Sequence, residues 1–143
     1  MTGQLRVETL VVLDSSFLIG FYNDNDAHHP TASSLMKNFL AGHWGEGLLL
    51  EYVYLEVMNV LLVRTDLSKA VHTSTMLLES EELEFIPCSD YFEDTVQSFS
   101  TQSGTKLSFT DCAIATVALK RAGGMVLTFD REFRKVAGIQ LAG

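Results

Sequence analysis

Leu10-Val11-Val12-Leu13-Asp14-Ser15-Ser16 is an apolar run that stops on a carboxylate. Such a run suits a β-strand covered on both faces, and the acid then sits at its carboxyl end. The arrangement recurs near the end of the chain, where Met125-Val126-Leu127-Thr128-Phe129 stops on Asp130. Between the two lie Glu56, inside the apolar stretch 52–63, and Asp111, which opens the apolar segment 112–119. Burying a lone carboxylate is costly, so buried acids are normally paired with a cation or bound to metal. The helical neighbours of Glu56 are Tyr52, Val53, Asn59 and Val60, none of them basic. Acids placed this way point to a divalent cation.

Working outward, five short apolar segments are strand candidates: 9–13, 47–50, 83–87, 125–128 and 138–141. Helical patterns fall between them at 30–41, 52–64, 67–79, 90–103 and 108–121. Asp66 is a suitable cap for the third helix, and Gly123-Gly124 stops the last. The helix over 52–64 is apolar nearly all round, which predicts deep packing. Strands alternating with helices predict an α/β fold, a three-layer α/β/α sandwich around a central, mainly parallel sheet of four to five strands. A length of 143 residues predicts one domain spanning 1–143. In such sheets ligands bind in a crevice beyond the carboxyl ends of the strands. Asp14 and Asp130 sit at two such ends, and right-handed connections bring Asp111 in from the same side.

Composition narrows the partners. Hydrophobic residues make up 47% of the chain, enough for a full core, and no apolar run approaches a membrane span. Met1-Thr2-Gly3-Gln4-Leu5-Arg6 lacks the order of a signal peptide, so the expected location is cytoplasmic with no membrane partner. Cys88 and Cys112 are the only cysteines and form no CxxC, which argues against structural zinc. A formal charge of −8 argues against strong nonspecific nucleic-acid binding. RNA affinity would then need metal, dimerisation or a local basic patch. The cations available near the expected site are Lys106, Lys120, Arg121, Arg131, Arg134 and Lys135. No Ser-His-Asp or Cys-His constellation and no phosphate-cradling glycine loop is present, and His28-His29-Pro30 reads as a polar surface loop.

Each acid also has an ordinary explanation. Asp14 suits a turn or helix cap after a strand. Glu56 suits a helix edge. Ser108-Phe109-Thr110-Asp111 fits a capping box, and Asp130 suits the cap of a short helix over 131–136. Glu132 is a reserve acid with a solvated first-turn role as its simplest explanation. Ser16, Asn59 and Thr110 are the polar neighbours placed to orient Asp14, Glu56 and Asp111.

Taken together, the segments resemble the PIN-domain nuclease family over essentially the whole chain. They are Val11-Val12-Leu13-Asp14-Ser15-Ser16 and Leu55-Glu56-Val57-Met58-Asn59-Val60-Leu61. Further along come Leu107-Ser108-Phe109-Thr110-Asp111-Cys112-Ala113-Ile114-Ala115 and Val126-Leu127-Thr128-Phe129-Asp130-Arg131-Glu132-Phe133. The resemblance implies that Asp14, Glu56, Asp111 and Asp130 form an acidic quartet that binds Mg²⁺ or Mn²⁺ and cleaves RNA. It also implies a VapC-like toxin of a toxin–antitoxin module, with an antitoxin partner and a homodimeric state. Hard oxygen ligands independently suit Mg²⁺ or Mn²⁺ over zinc. Glu51-Tyr52 and Glu132 depart from the family pattern. The alternative is a non-catalytic PIN-like module that binds RNA or protein. A phosphoacceptor using Asp14 as nucleophile is weakened by Ser16, which stands where a second aspartate is usual. Apolar residues on the helices over 52–64 and 90–103 suit a dimer face, an inhibitor groove or plain core.

Overall fold

β1 (Leu10–Leu13) is the central strand of a five-stranded sheet in the order β3-β2-β1-β4-β5. The computed structural model describes residues 9–143. The other strands are β2 (Glu46–Leu50), β3 (Leu83–Ile86), β4 (Met125–Leu127) and β5 (Gln140–Leu141). All neighbouring pairs are parallel. Val11, Val12, Leu48, Val126 and Leu127 have no exposed surface, which is why β1, β2 and β4 read as unbroken apolar runs.

Among the described residues six helices complete the fold: α1 (Ser15–Tyr22), α2 (His29–Leu40), α3 (Glu51–Arg64), α4 (Leu67–Glu79), α5 (Phe92–Ser100) and α6 (Phe109–Arg121). Two 3₁₀ turns, Cys88–Tyr91 and Arg131–Lys135, precede α5 and β5. α1 packs on α2 and α3, and α3 on α4, while α5 packs on α6. Right-handed crossovers put these two groups on opposite faces, because the chain moves one way from β1 to β3 and then returns to β4 on the other side. The expected three-layer α/β/α sandwich is therefore present.

Local chemistry accounts for the boundaries. Asp66 caps α4 by accepting from the Lys69 amide at 2.7 Å, as its position predicts. Gly123 and Gly124 end α6 with positive φ, and the Gly124 amide donates to the Ala118 carbonyl at 2.9 Å. A Cβ on Gly124 would stand 1.9 Å from the Gly138 carbonyl oxygen, so only glycine permits the close approach that pairs β4 with β5.

The sequence reading needs correction in three places. α1 is not in the predicted helix set, because Phe17-Leu18-Ile19-Gly20-Phe21-Tyr22 is apolar throughout and shows no helical period. The helix predicted over 90–103 is shorter, with a 3₁₀ turn before it and a loop after it. Gln102 fastens that loop by accepting from the Leu107 amide and donating to the Leu107 carbonyl. α3 is not deeply packed: only Val53, Val57 and Leu61 are buried, while Leu55 and Leu62 are each 48% exposed and Val63 84%. Tyr52, Tyr54, Met58 and Val60 are half-buried against the core, while Leu55, Leu62 and Val63 face outward.

Candidate active site at the carboxyl ends of the sheet

The strand order reverses at β1, so the connections leaving β1 and β4 diverge and open a crevice beyond their carboxyl ends. Leu13 lies in register with Leu127, and the Asp14 amide donates to the Leu127 carbonyl at 3.0 Å. That register sets Asp14 beside Thr128. The Thr128 hydroxyl donates to Asp14 Oδ2 at 2.6 Å, and the Ser16 hydroxyl donates to the same oxygen at 2.8 Å. Both hydroxyl protons are thereby committed to Asp14, so the 3.2 Å approach of Ser16 Oγ to Thr128 Oγ1 carries no proton. Each hydroxyl also accepts a backbone amide: Phe129 on Ser16 at 3.0 Å, and Asp130 on Thr128 at 2.9 Å. A closed hydrogen-bond network thus ties the end of β1 to the end of β4.

Asp14 is only 5% exposed. Burial raises its pKa above the usual carboxylate range; the Thr128 and Ser16 hydroxyls and the Ser15 amide oppose this, and the charge of Glu56 adds to it. Asp14 stands at the N-cap position of α1, yet its side chain makes no capping bond there. Its carboxylate is instead held by hydroxyls.

Glu56 reaches the same centre from α3. Ser15 Oγ donates to Glu56 Oε2 at 2.8 Å and lies 3.4 Å from Asp14 Oδ1, so one hydroxyl stands between the two acids. Glu56 itself is exposed, not embedded as its apolar neighbours predict. Asp111 approaches from the first turn of α6, where Ser108 caps the helix by accepting the Asp111 amide at 3.1 Å. Its pKa is raised to about 6: burial contributes most, then the charge of Asp14, with Asp130 adding further and Ser108 opposing. Asp130 caps the second 3₁₀ turn by accepting from the Glu132 amide at 2.9 Å. The ordinary capping roles of Asp111 and Asp130 are therefore present together with their mutual repulsion.

The family pattern of the PIN domain matches residues 11–139. This chain belongs to the PIN domain family. Its fold is similar to that of VapC20 from Mycobacterium tuberculosis, a sarcin-ricin loop cleaving toxin, with a TM-score of 0.78 at 22% identity over 90% of this chain and 96% of that one. It is also similar to VapBC2 from Rickettsia felis bound to a DNA fragment from its promoter, with a TM-score of 0.65 at 15% identity over 94% of this chain and 98% of that one. PAE2754 from Pyrobaculum aerophilum gives 0.61 at 15% identity over 94% and 89%. At these identities the likeness establishes the fold. Among curated proteins, none matches this sequence.

In this PIN domain the four acids gather at one end of the sheet, but they do not form a tight cage. Among the described residues, no three acidic, histidine or cysteine side chains are grouped closely enough to grip one ion directly. Asn59 is exposed, and among the described residues neither it nor Thr110 contributes a side-chain hydrogen bond to the network. Ser15 and Thr128 do that work with Ser16. Thr128 was legible only as the residue two before Asp130 at a strand end, and Ser15 only as the neighbour of Ser16. Glu132 is spent on Lys135 at 3.0 Å. His28 stacks on Phe129 with ring centroids 4.3 Å apart, which lays the loop between α1 and α2 along the rim of the site.

Thr128→Val keeps the shape of this side chain while deleting the donor to Asp14 and the acceptor for the Asp130 amide. We expect about a 10–100-fold loss of activity from the disordered carboxylate, measured as initial cleavage rate against the unsubstituted chain. An unchanged rate would remove Thr128 from the site.

A groove of about 770 Å³ lies elsewhere, between α1, α2 and α4, with Phe21, Tyr22, Met36, Leu40, Lys69 and Met76 among its walls. None of the four acids lines it. Among the described residues, no helix is long and apolar enough to cross a membrane.

Proposed function

We propose that this PIN domain is a divalent-metal-dependent ribonuclease that hydrolyses RNA phosphodiester bonds through Asp14, Glu56, Asp111 and Asp130, as the toxin of a toxin–antitoxin pair. The observation that carries this reading is a gathering of carboxylates with no basic partner among the described residues: Asp14 is buried, Ser15 links it to Glu56, and Asp111 is pushed up to about 6 by burial and its acidic neighbours. Charges arranged to repel one another are what an incoming cation relieves. The donor set fits the metal: every candidate ligand is a hard oxygen, which suits Mg²⁺ or Mn²⁺. The loose grouping also fits, because Mg²⁺ usually keeps several waters and takes only one or two carboxylates directly. Asp14 and Asp111 would hold the ion, with Glu56 and Asp130 flanking it. When bound, the ion supplies charge neutralisation and Lewis acidity toward a phosphodiester.

The chain's own residues supply the rest. Ser16 and Thr128 fix Asp14 in place and favour its charged form against the cost of burial. Asp111, its pKa raised to about 6, is still ionised at neutral pH and with Asp14 would supply the negative charge that faces the ion, while the proton released by an attacking water passes to solvent. The bond from phosphorus to the leaving oxygen then breaks, and that oxygen takes a proton from solvent. Stripping the protein with a chelator is expected to abolish cleavage of structured RNA, and Mg²⁺ or Mn²⁺ to restore it. Full activity in excess chelator would overturn the metal-dependent reading.

The toxin role draws on the likeness to VapC20 and VapBC2. A short open reading frame just upstream would supply the antitoxin; without one, RNA processing is the better reading. The groove between α1, α2 and α4 is the surface available for such a partner. A second copy of this chain suits a different surface, one shared by α3 and α5. Leu55 and Leu62 on α3 and Phe92, Val96 and Phe99 on α5 are exposed, and Phe109 joins the two faces through ring contacts to Tyr52, Phe92 and Phe99 at 5.6–5.9 Å. Sedimentation is expected to give twice the 15.8 kDa chain mass; a monomer at micromolar concentration would exclude this dimer.

A further inference from the structure

A chain with a formal charge of −8 and an acidic site must still hold a polyanion. Among the described residues Lys37, Arg64, Lys69 and Lys106 form no salt bridge, but none of them lies on the turn that follows Asp130. Lys120 is engaged by Asp94 at 3.5 Å, Arg121 by Glu84 at 2.9 Å and Lys135 by Glu132 at 3.0 Å. Arg131 and Arg134 are exposed, and among the described residues neither has an acidic partner. Both lie on the 3₁₀ turn that begins directly after Asp130.

The geometry of that turn fixes how they stand. In a 3₁₀ helix, residues three apart eclipse one another. Glu132 and Lys135 show the eclipse here, since they meet at 3.0 Å across three residues. By the same spacing Arg131 and Arg134 share one row, about 6 Å apart along the axis. Phe133 has no exposed surface and anchors the turn to the core, so the row is held against a fixed base. Asp130, one residue before the row, is close enough to raise the pKa of Asp111.

Resting on the ribonuclease reading, we infer that Arg131 and Arg134 form a two-point clamp for adjacent phosphates of the RNA strand beside the bond that is cut. Guanidinium groups grip phosphate oxygens in a bidentate manner. Contacts of this kind set register along the strand and carry no base specificity. The clamp also resolves how so acidic a chain holds RNA: the attraction is local, and it lies next to the acids instead of being spread over the surface.

The test separates binding from cleavage. In an Asp14→Asn background, affinity for a labelled single-stranded oligoribonucleotide is measured across a range of salt. Each of Arg131→Gln and Arg134→Gln is expected to flatten the slope of log K against log salt by ~0.7. Arg131→Lys and Arg134→Lys retain the slope, and Lys120→Gln, a control away from the clamp, leaves it unchanged. In the active chain the paired Gln variant raises KM and leaves kcat alone. An unchanged slope, a loss confined to kcat, or no measurable RNA binding by the Asp14→Asn protein would each overturn the clamp. If the unsubstituted chain cuts no RNA while the arginines still set the slope, the ribonuclease reading fails and only phosphate binding by the two arginines stands. If RNA is cut and the slope ignores both arginines, the clamp fails alone.

Discussion

Asp14→Asn is expected to leave the chain folded and to reduce RNA cleavage by about a thousandfold, the loss of several kcal/mol of charge stabilisation at the reacting phosphate. The fold survives because the amide oxygen of Asn accepts the same two hydroxyls, Ser16 and Thr128, that Asp14 Oδ2 accepts now. The amide nitrogen takes the place of Oδ1 beside Ser15 and can donate to its hydroxyl. Only the negative charge is lost. Cleavage rates with circular dichroism on the same preparation decide the matter. Near-normal turnover from a folded Asp14→Asn protein would end the nuclease assignment. Asp14→Ala is a poorer choice, since it strands the Ser16 and Thr128 hydroxyl donors and confounds activity with stability.

Asp111→Asn is expected to stabilise the metal-free protein at pH 7.5 while abolishing cleavage. The sign follows from linkage. The folded-state pKa of Asp111 is raised from 3.8 to about 6, so the native state binds this proton more tightly than the unfolded chain does. Stability therefore falls as pH rises from about 4 to 6, and above pH 6 the native state carries the full cost of the charge. Partial exposure screens that cost to roughly 1–2 kcal/mol, a few degrees in Tm for a chain of this size. Asn carries no charge, yet keeps an acceptor for the Ser108 amide at the start of α6. The gain is expected near neutral pH in chelator, and it should vanish below pH 4, where Asp111 is protonated in both states. Saturating Mg²⁺ should reverse the order, because only the unsubstituted chain gains from the ion. A lower Tm at both pH values would mean that Asp111 serves α6 as a cap and nothing more.

How much of this was legible follows from what patterns encode. Strands buried on both faces write themselves as apolar runs, so β1, β2 and β4 were readable to within a residue or so. The acids at their ends stood out for the same reason. α1 was not readable, because five of its eight residues are buried and nothing periodic remains. α3 misled in the opposite sense. Its apolar residues suggested deep burial, but burial is decided by what packs outside a helix, and local sequence does not state it. Glu56 was picked out on the premise of burial and proves exposed; its place in the site comes from Ser15, forty-one residues away. Ser15 and Thr128 escaped notice because a hydroxyl has no pattern of its own. Its role appears only when register brings a carboxylate within reach.

Asp130 has a consequence for how this protein can change. One of its oxygens already holds the amide that starts the turn carrying Arg131 and Arg134. Its charge, meanwhile, presses on Asp111. Lengthening, shortening or neutralising that single side chain alters the pit and re-aims the arginines in the same step. On the proposed reading of site and clamp, substitutions that adjust cutting cannot be separated there from those that adjust grip, so drift at position 130 is penalised twice, while the neighbouring arginines stay free to tune affinity on their own.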